Sequence, residues 1–290
     1  PKTMSAKLQL RALKVPERVV HQLSNGLTVH VIRRGSLPLV AVRLVIRAGS
    51  AFDRPGQLGV ADFASRLLRR GADGKSANEI SESVEFVGAS VGGSANEENV
   101  IVSLSTPAKH LESMLQIFSR LIQAPDFKDD EIELARRRAL ASLKNELDDP
   151  GVLADRSLLR AIWGAHPYGH ESVGGAKDVA SFTRDQLVEF HQERLGPHVA
   201  NLYLVGDVHP DSAIETIDRY FGEWKRGPQF APVAPPWVGI AKPGEVIIVD
   251  KPEQTQVQMR IGAKGVRRGH EDHFSIMLMN TILGGSFTSR

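Results

Sequence analysis

Three groups of side chains in this sequence combine residue types and spacings that chemistry uses. His166-Pro167-Tyr168-Gly169-His170 sets two histidines four residues apart, which on a helix would aim two imidazoles at one zinc ion. Pro167 and Gly169 predict a loop instead, so this pair is not expected to share a metal. His270-Glu271-Asp272-His273 places four potential ligands in a row, but such a run is expected at a solvated helix start, where acids suit the positive end of the helix dipole. Asp62 and Arg66 stand four apart within Gly59-Val60-Ala61-Asp62-Phe63-Ala64-Ser65-Arg66-Leu67-Leu68. That is the spacing of an ordinary helical ion pair, worth about 0.2–0.5 kcal/mol when exposed.

Other catalytic schemes have less to build on. The chain has no cysteine, which excludes disulfides, thiolate zinc sites and a cysteine nucleophile, and suits a reducing or an oxidising compartment alike. No serine sits in a G-x-S-x-G elbow, and Gly88 to Gly93 is not followed by the G-K-[ST] of a phosphate loop. Arg136-Arg137-Arg138 is offset by Asp129, Asp130, Glu131, Glu133 and Glu146, so a solvated helix face is expected. At Leu283-Gly284-Gly285-Ser286-Phe287 the glycines allow close backbone approach and leave N–H groups free for an extended peptide. Gly284 is also expected to end the preceding helix as its C-cap.

The elements that must position these groups follow from periodicity. Leu27 to Ile32 and Leu39 to Ala48 read as strands joined by a turn around Gly35 to Pro38. Gly56 to Gly59 opens a helix whose apolar positions Val60, Phe63, Ala64, Leu67 and Leu68 recur at about a 3.6-residue period. Ser76-Ala77-Asn78-Glu79 is a capping box that starts a helix to about Val87, and Thr183-Arg184-Asp185-Gln186 starts another to about Leu195. Strands are expected at Ala89 to Ser94, Asn99 to Thr106 and Asn201 to Val205. Helices are expected from Pro107 to about Ile122, from Asp129 to Glu146, onward to Trp163, and from Asp211 to Tyr220. Prolines 228, 232, 235 and 236 mark an extended linker over 227–243. Beyond it, Val246 to Asp250, Gln256 to Gly262 and a helix from about His273 to Leu283 repeat the strand, strand, helix order of the first residues. The reading is a first domain over 1–226, the linker, and the start of a second unit over 244–290. These last 47 residues are few for an independent core, so the second unit is expected to be incomplete and the biological chain to continue.

Composition narrows the classes further. Apolar residues make up 41% and charged residues 24%, with a formal net charge of +2, which is globular and lacks the basic stripe of a nucleic-acid binder. No apolar run approaches the roughly 18 to 20 residues of a membrane span, and no secretory leader is legible. A periplasmic or other soluble compartment is compatible with these features.

In their shared order, Val40 to Ile46, Arg47-Ala48-Gly49-Ser50, Gly59 to Leu68, Gly71 and Ser76 to Glu79 resemble the inverzincin family of pitrilysin, insulin-degrading enzyme and mitochondrial processing peptidase. Asp149-Pro150, His166-Pro167-Tyr168-Gly169, Val205-Gly206-Asp207-Val208 and Leu283 to Phe287 extend the resemblance over nearly the whole chain. It implies an α+β sandwich, with a mostly antiparallel sheet packed by helices and two homologous domains. The family's zinc motif, H-x-x-E-H, falls on the helix from Gly59. The resemblance puts Asp62 and Arg66 at the two histidine positions, Ser65 at the general base, and Ser142 at a further glutamate ligand. None of the four can do its counterpart's work.

The resemblance therefore implies a non-catalytic, substrate-binding subunit without a cofactor of its own, assisting a homologous zinc-bearing peptidase subunit on a peptide substrate. Gly284, Gly285, Ser286 and Phe287 stand where the non-catalytic partners of the mitochondrial branch carry a glycine-rich substrate-binding segment. An Arg/Tyr pair that follows in that branch would lie past Arg290. Two other roles suit the same residues: a structural subunit of an assembly like the respiratory-complex core proteins, and a stand-alone peptide-binding module.

Overall fold

A computed structural model describes residues 16–227, 244–252, 254–263 and 265–285. Among these residues eight strands form: β1 (Val19–Gln22), β2 (Thr28–Arg33), β3 (Leu39–Ile46), β4 (Gly71–Ala72), β5 (Lys75–Ser76), β6 (Ser90–Ala95), β7 (Val100–Pro107) and β8 (Ala200–Gly206). Between and after them run α1 (Val60–Leu67), α2 (Ala77–Glu85), α3 (Leu111–Gln123), α4 (Asp129–Glu146), α5 (Pro150–Trp163), α6 (Ala176–Ser181), α7 (Arg184–Arg194), α8 (Pro210–Phe221) and α9 (His273–Asn280). The six-stranded sheet has the order β1-β2-β8-β3-β7-β6, and β4 and β5 make a separate ribbon. All of its pairings are antiparallel except β2 with β8, which gives the mixed α+β architecture.

Strict alternation explains which face of the sheet is dry. Val40, Val42, Leu44 and Ile46 of β3 are fully buried, and Val42 is in register with Leu104 of β7 on one side and Leu204 of β8 on the other. A period of two sends this whole set to one face. Helices α1, α3 and α8 pack onto the sheet there. Phe118 of α3 meets Phe221 of α8 at 6.3 Å between ring centroids, both fully buried. Facing polar residues such as Arg43 and Ser103 occupy the alternate positions of the central strands.

Both capping boxes form. Glu79 accepts from the Ser76 N–H at 2.8 Å while Ser76 Oγ accepts from the Glu79 N–H, and Thr183 and Gln186 exchange the same two bonds. The turn expected around Gly35 to Pro38 does not make β2 and β3 neighbours, because β8 inserts between them. Periodicity identifies a strand but carries no information on which strand will lie beside it. The arginine run also departs from a simple solvated face. Arg136 spreads its guanidinium over the carbonyls of Val179, Ala180 and Phe182 at 2.6–2.9 Å, satisfying the end of α6 with a planar donor set.

The strands expected at Val246 to Asp250 and Gln256 to Gly262 are not formed. A strand exists only through a ladder partner, and among the described residues neither segment has one. Instead this stretch crosses α5. Lys251 donates to the Leu147 carbonyl at 2.6 Å, Arg260 pairs with Asp155, and Gly262 lies against Leu158 and Ile162. The helix expected from His273 forms as α9 and runs on as a π-helical turn, Thr281–Gly285. Most of the expected linker lies outside the described residues. Among the described residues, no helix is long and apolar enough to cross a membrane.

Candidate functional site

The short helix α1 is built as a packing element on every side but one. Gly59 precedes it with φ +94°, and Val60, Phe63, Ala64 and Leu67 are buried against the core. At its far end the Ser65 carbonyl lies so close to β6 that a Cβ on Gly93 would meet the oxygen at 2.1 Å. The helix is thus seated directly on the edge strand of the sheet and also packs against α4.

Asp62 and Ser65 are nearly as buried as their apolar neighbours, at 6% and 1% exposure. Arg66 Nε donates to Asp62 Oδ2 at 2.7 Å, with the arginine side chain 59% exposed. The other Asp62 oxygen faces the Ala95 N–H of β6 at 3.5 Å. Burial raises the Asp62 pKa, and the Arg66 cation opposes that rise. Ser65 Oγ donates back to the Asp62 carbonyl at 2.7 Å. Ser142 is exposed on α4, where its hydroxyl donates to Glu146 at 3.3 Å. Glu146 pairs with Arg156 of α5, and Arg156 with Glu171.

These residues do not fit a zinc ion. A catalytic zinc needs a set of convergent nitrogen, sulfur or carboxylate donors. Here the one carboxylate is already held by a guanidinium, and the two hydroxyls are committed to a backbone carbonyl and to Glu146. Among the described residues, no group of three or more His, Asp or Glu side chains is placed to hold a metal.

The histidine pairs are placed as loop and surface groups. His166 Nδ1 accepts from the Tyr168 N–H and caps a 3-10 turn over Pro167–Gly169, while His170 Nδ1 lies 3.1 Å from the Glu171 carbonyl. His270 and His273 flank the exposed start of α9. Gly284 does not cap the helix as expected. The chain passes through it in the π-helical turn, and neither Gly284 nor Gly285 takes a positive φ. The wider i to i+5 turn carries the helix on to Gly285 without the left-handed residue a C-cap uses. Ser286 and Phe287 lie outside the described residues.

One half-buried acid has no motif to announce it. Asp53 accepts from the Gly59 N–H at 2.7 Å and the Ala61 N–H at 3.3 Å, holding the start of α1 from a preceding loop. Burial raises its pKa from 3.8 to about 7, against the opposing pull of those two N–H groups and of Arg194; Asp62 adds slightly to the rise. The folded state therefore holds this proton where the unfolded chain has lost it. Stability from this group is full at low pH and lost as pH rises through about 7. Asp53→Asn keeps an acceptor oxygen without the buried charge. It is expected to be the more stable protein above that pH and to flatten the parent's decline, read as urea midpoints across a pH series.

Comparisons with known proteins identify the family of this fold. Residues 29–174 match the family model for insulinase, peptidase family M16, and residues 181–290 match the peptidase M16 inactive domain. An uncharacterized zinc protease of Bacillus subtilis (strain 168), YmxG, is 24% identical over 92% of this chain and 64% of its own length. The mitochondrial-processing peptidase subunit beta of Caenorhabditis elegans is 21% identical over 96% of this chain and 60% of its own. The chain thus spans less than two thirds of these relatives. The crystal structure of a peptidase M16 inactive domain from Pseudomonas fluorescens superimposes with a TM-score of 0.70 at 28% identity, covering 74% of this chain and 52% of that one. A protease from Helicobacter pylori shares the fold with a TM-score of 0.72 at 21% identity, over 78% and 55%. The chain belongs to the insulinase family, peptidase family M16.

Proposed function

We propose that this chain is the non-catalytic, substrate-binding subunit of a two-subunit zinc peptidase, its zinc carried by a homologous partner. The observation that carries the reading is the closed Asp62–Arg66 pair on a helix whose packing is otherwise intact. The inward residues of α1 serve the fold, while the positions facing a would-be metal hold an ion pair instead. A scaffold kept without its chemistry suits binding and assembly.

The peptide-binding part rests on two features. Among the described residues, strand β6 is a sheet edge whose Ser90–Ala95 backbone bonds only to β7 within the sheet, and an extended peptide can add to such an edge. Gly284 to Phe287 supply the second contact, in the unit that opens at Gly244. Mixing the full-length chain with a zinc-bearing homologue is expected to raise peptide cleavage well above that of either alone. No increase, together with no complex on sedimentation, would overturn the reading.

A further inference from the structure

One cleft among the described residues, of about 410 Å³, is separate from the β6 edge. It is walled by Leu140 and Leu143 of α4, by Leu147 just after α4, by Leu159 of α5, and by Leu58 just ahead of α1. The remaining wall combines the bare backbone of Gly169, Gly174 and Gly175 with the side chains of His170 and Ala176 and the charged groups of the rim. Leu147 and Leu159 stay 54% and 39% exposed at this cleft, an apolar surface that a monomer gains nothing by showing to water. The walls are tied together, because Arg156 bridges Glu146 of α4 and Glu171 of the glycine-bearing loop.

The charge on the rim is uneven. Arg156 is satisfied by its two carboxylates, whereas Lys144 and Arg160 have no carboxylate partner among the described residues. Asp178 is the one other acid lining the cleft. Two cations against one anion leave room for a carboxylate from a ligand, next to a leucine-lined hollow. The cleft also adjoins the candidate site. Leu143 and Lys144 directly follow Ser142, and Leu58 directly precedes Gly59.

We infer that this cleft is a peptide subsite that takes an aliphatic side chain followed by an acidic residue. The aliphatic group fills the leucine walls, and the acid pairs with Arg160 and Lys144. That the ligand is a peptide rests on the function proposed above; the chemistry of the cleft does not.

The test uses the whole chain alone, with the blocked hexapeptide Ala-Ala-Leu-Glu-Ala-Ala and two relatives in which the Leu is Ser or the Glu is Lys. Calorimetry is expected to show the parent peptide binding about tenfold tighter than either relative. Arg160→Glu, an exposed change on α5, is expected to reverse the Glu-over-Lys preference with an unchanged melting temperature. Leu159→Gln is expected to erase the Leu-over-Ser preference. Equal or undetectable binding of all three peptides, or a preference that Arg160→Glu leaves in place, would overturn the subsite while leaving the two-subunit reading intact. Conversely, selective binding without stimulation of a zinc-bearing homologue would overturn that reading and leave the subsite standing.

Discussion

Gly174→Ala is expected to destabilise the protein by about 3–5 kcal/mol, from strained backbone together with overpacking. Gly174 has φ +73°, and a Cβ there would fall 1.9 Å from the Leu58 carbonyl oxygen and 2.9 Å from the Gly59 Cα. The contact is reciprocal, since a Cβ on Gly59 would meet the Val173 carbonyl oxygen at 2.4 Å and the Gly174 nitrogen at 2.7 Å. Two backbones lie directly against each other at the point where α1 begins. Neither can retreat, because Asp53 holds the start of the helix and Arg156, through Glu171, ties down the loop. Gly56 provides the control. It has a similar φ of +81°, but a Cβ there would meet nothing within 4 Å, so Gly56→Ala carries only the conformational cost of an L side chain at positive φ, about 1–2 kcal/mol. Urea unfolding of the two variants separates these contributions. Equal losses would show that backbone contact is not what seats α1.

Restoring the metal chemistry is expected to have the other large effect. The combined variant Asp62→His, Ser65→Glu, Arg66→His and Ser142→Glu removes the ion pair and puts two imidazoles at i, i+4 on α1 with a carboxylate on α4. Because α1 packs against α4, these groups are expected to converge as zinc ligands, with the introduced acid at position 65 beside them. The parent is expected to take up no stoichiometric zinc, and the variant to bind it with an affinity of about micromolar or tighter. Zinc at a hundredfold excess over that dissociation constant would stabilise the variant by about 2.7 kcal/mol. Without zinc the variant is expected to be less stable than the parent, because position 65 is almost fully buried and a longer acid there must displace neighbours. Zinc uptake by absorption spectrometry after gel filtration, together with melting with and without metal, reads both effects. A folded variant that takes up no zinc would place the family's metal positions elsewhere than at 62, 66 and 142.

These two results address different properties of one helix. The first asks what holds α1 in place, and the answer is backbone contact at Gly174 and Gly93 together with the Asp53 carboxylate. The second asks what its outward residues do. Asp62 is where the two meet: it is buried like a packing residue yet paired like a surface one. Protonating or deleting it would leave Arg66 without a partner on the face beside β6.

The amino-acid sequence by itself determined the local elements and which side chains stand at 62, 65 and 66 of α1. Helices α4, α7 and α8 begin and end within a residue or two of their periodic patterns and caps, because capping boxes and apolar spacing act over only a few residues. The residues at 62, 65, 66 and 142 can be read directly from the chain, and their chemistry with them. Only the tertiary structure decided which elements touch. It placed β8 between β2 and β3, turned Arg136 from an expected solvated residue into the cap of α6, and left 246–250 and 256–262 without a ladder among the described residues. It also enclosed Asp53 enough to raise its pKa and assembled the cleft from residues as distant as Leu58 and Asp178. The physical reason is range: propensity and periodicity are properties of neighbours in sequence, whereas burial, pairing and clefts arise where separated segments close on one another.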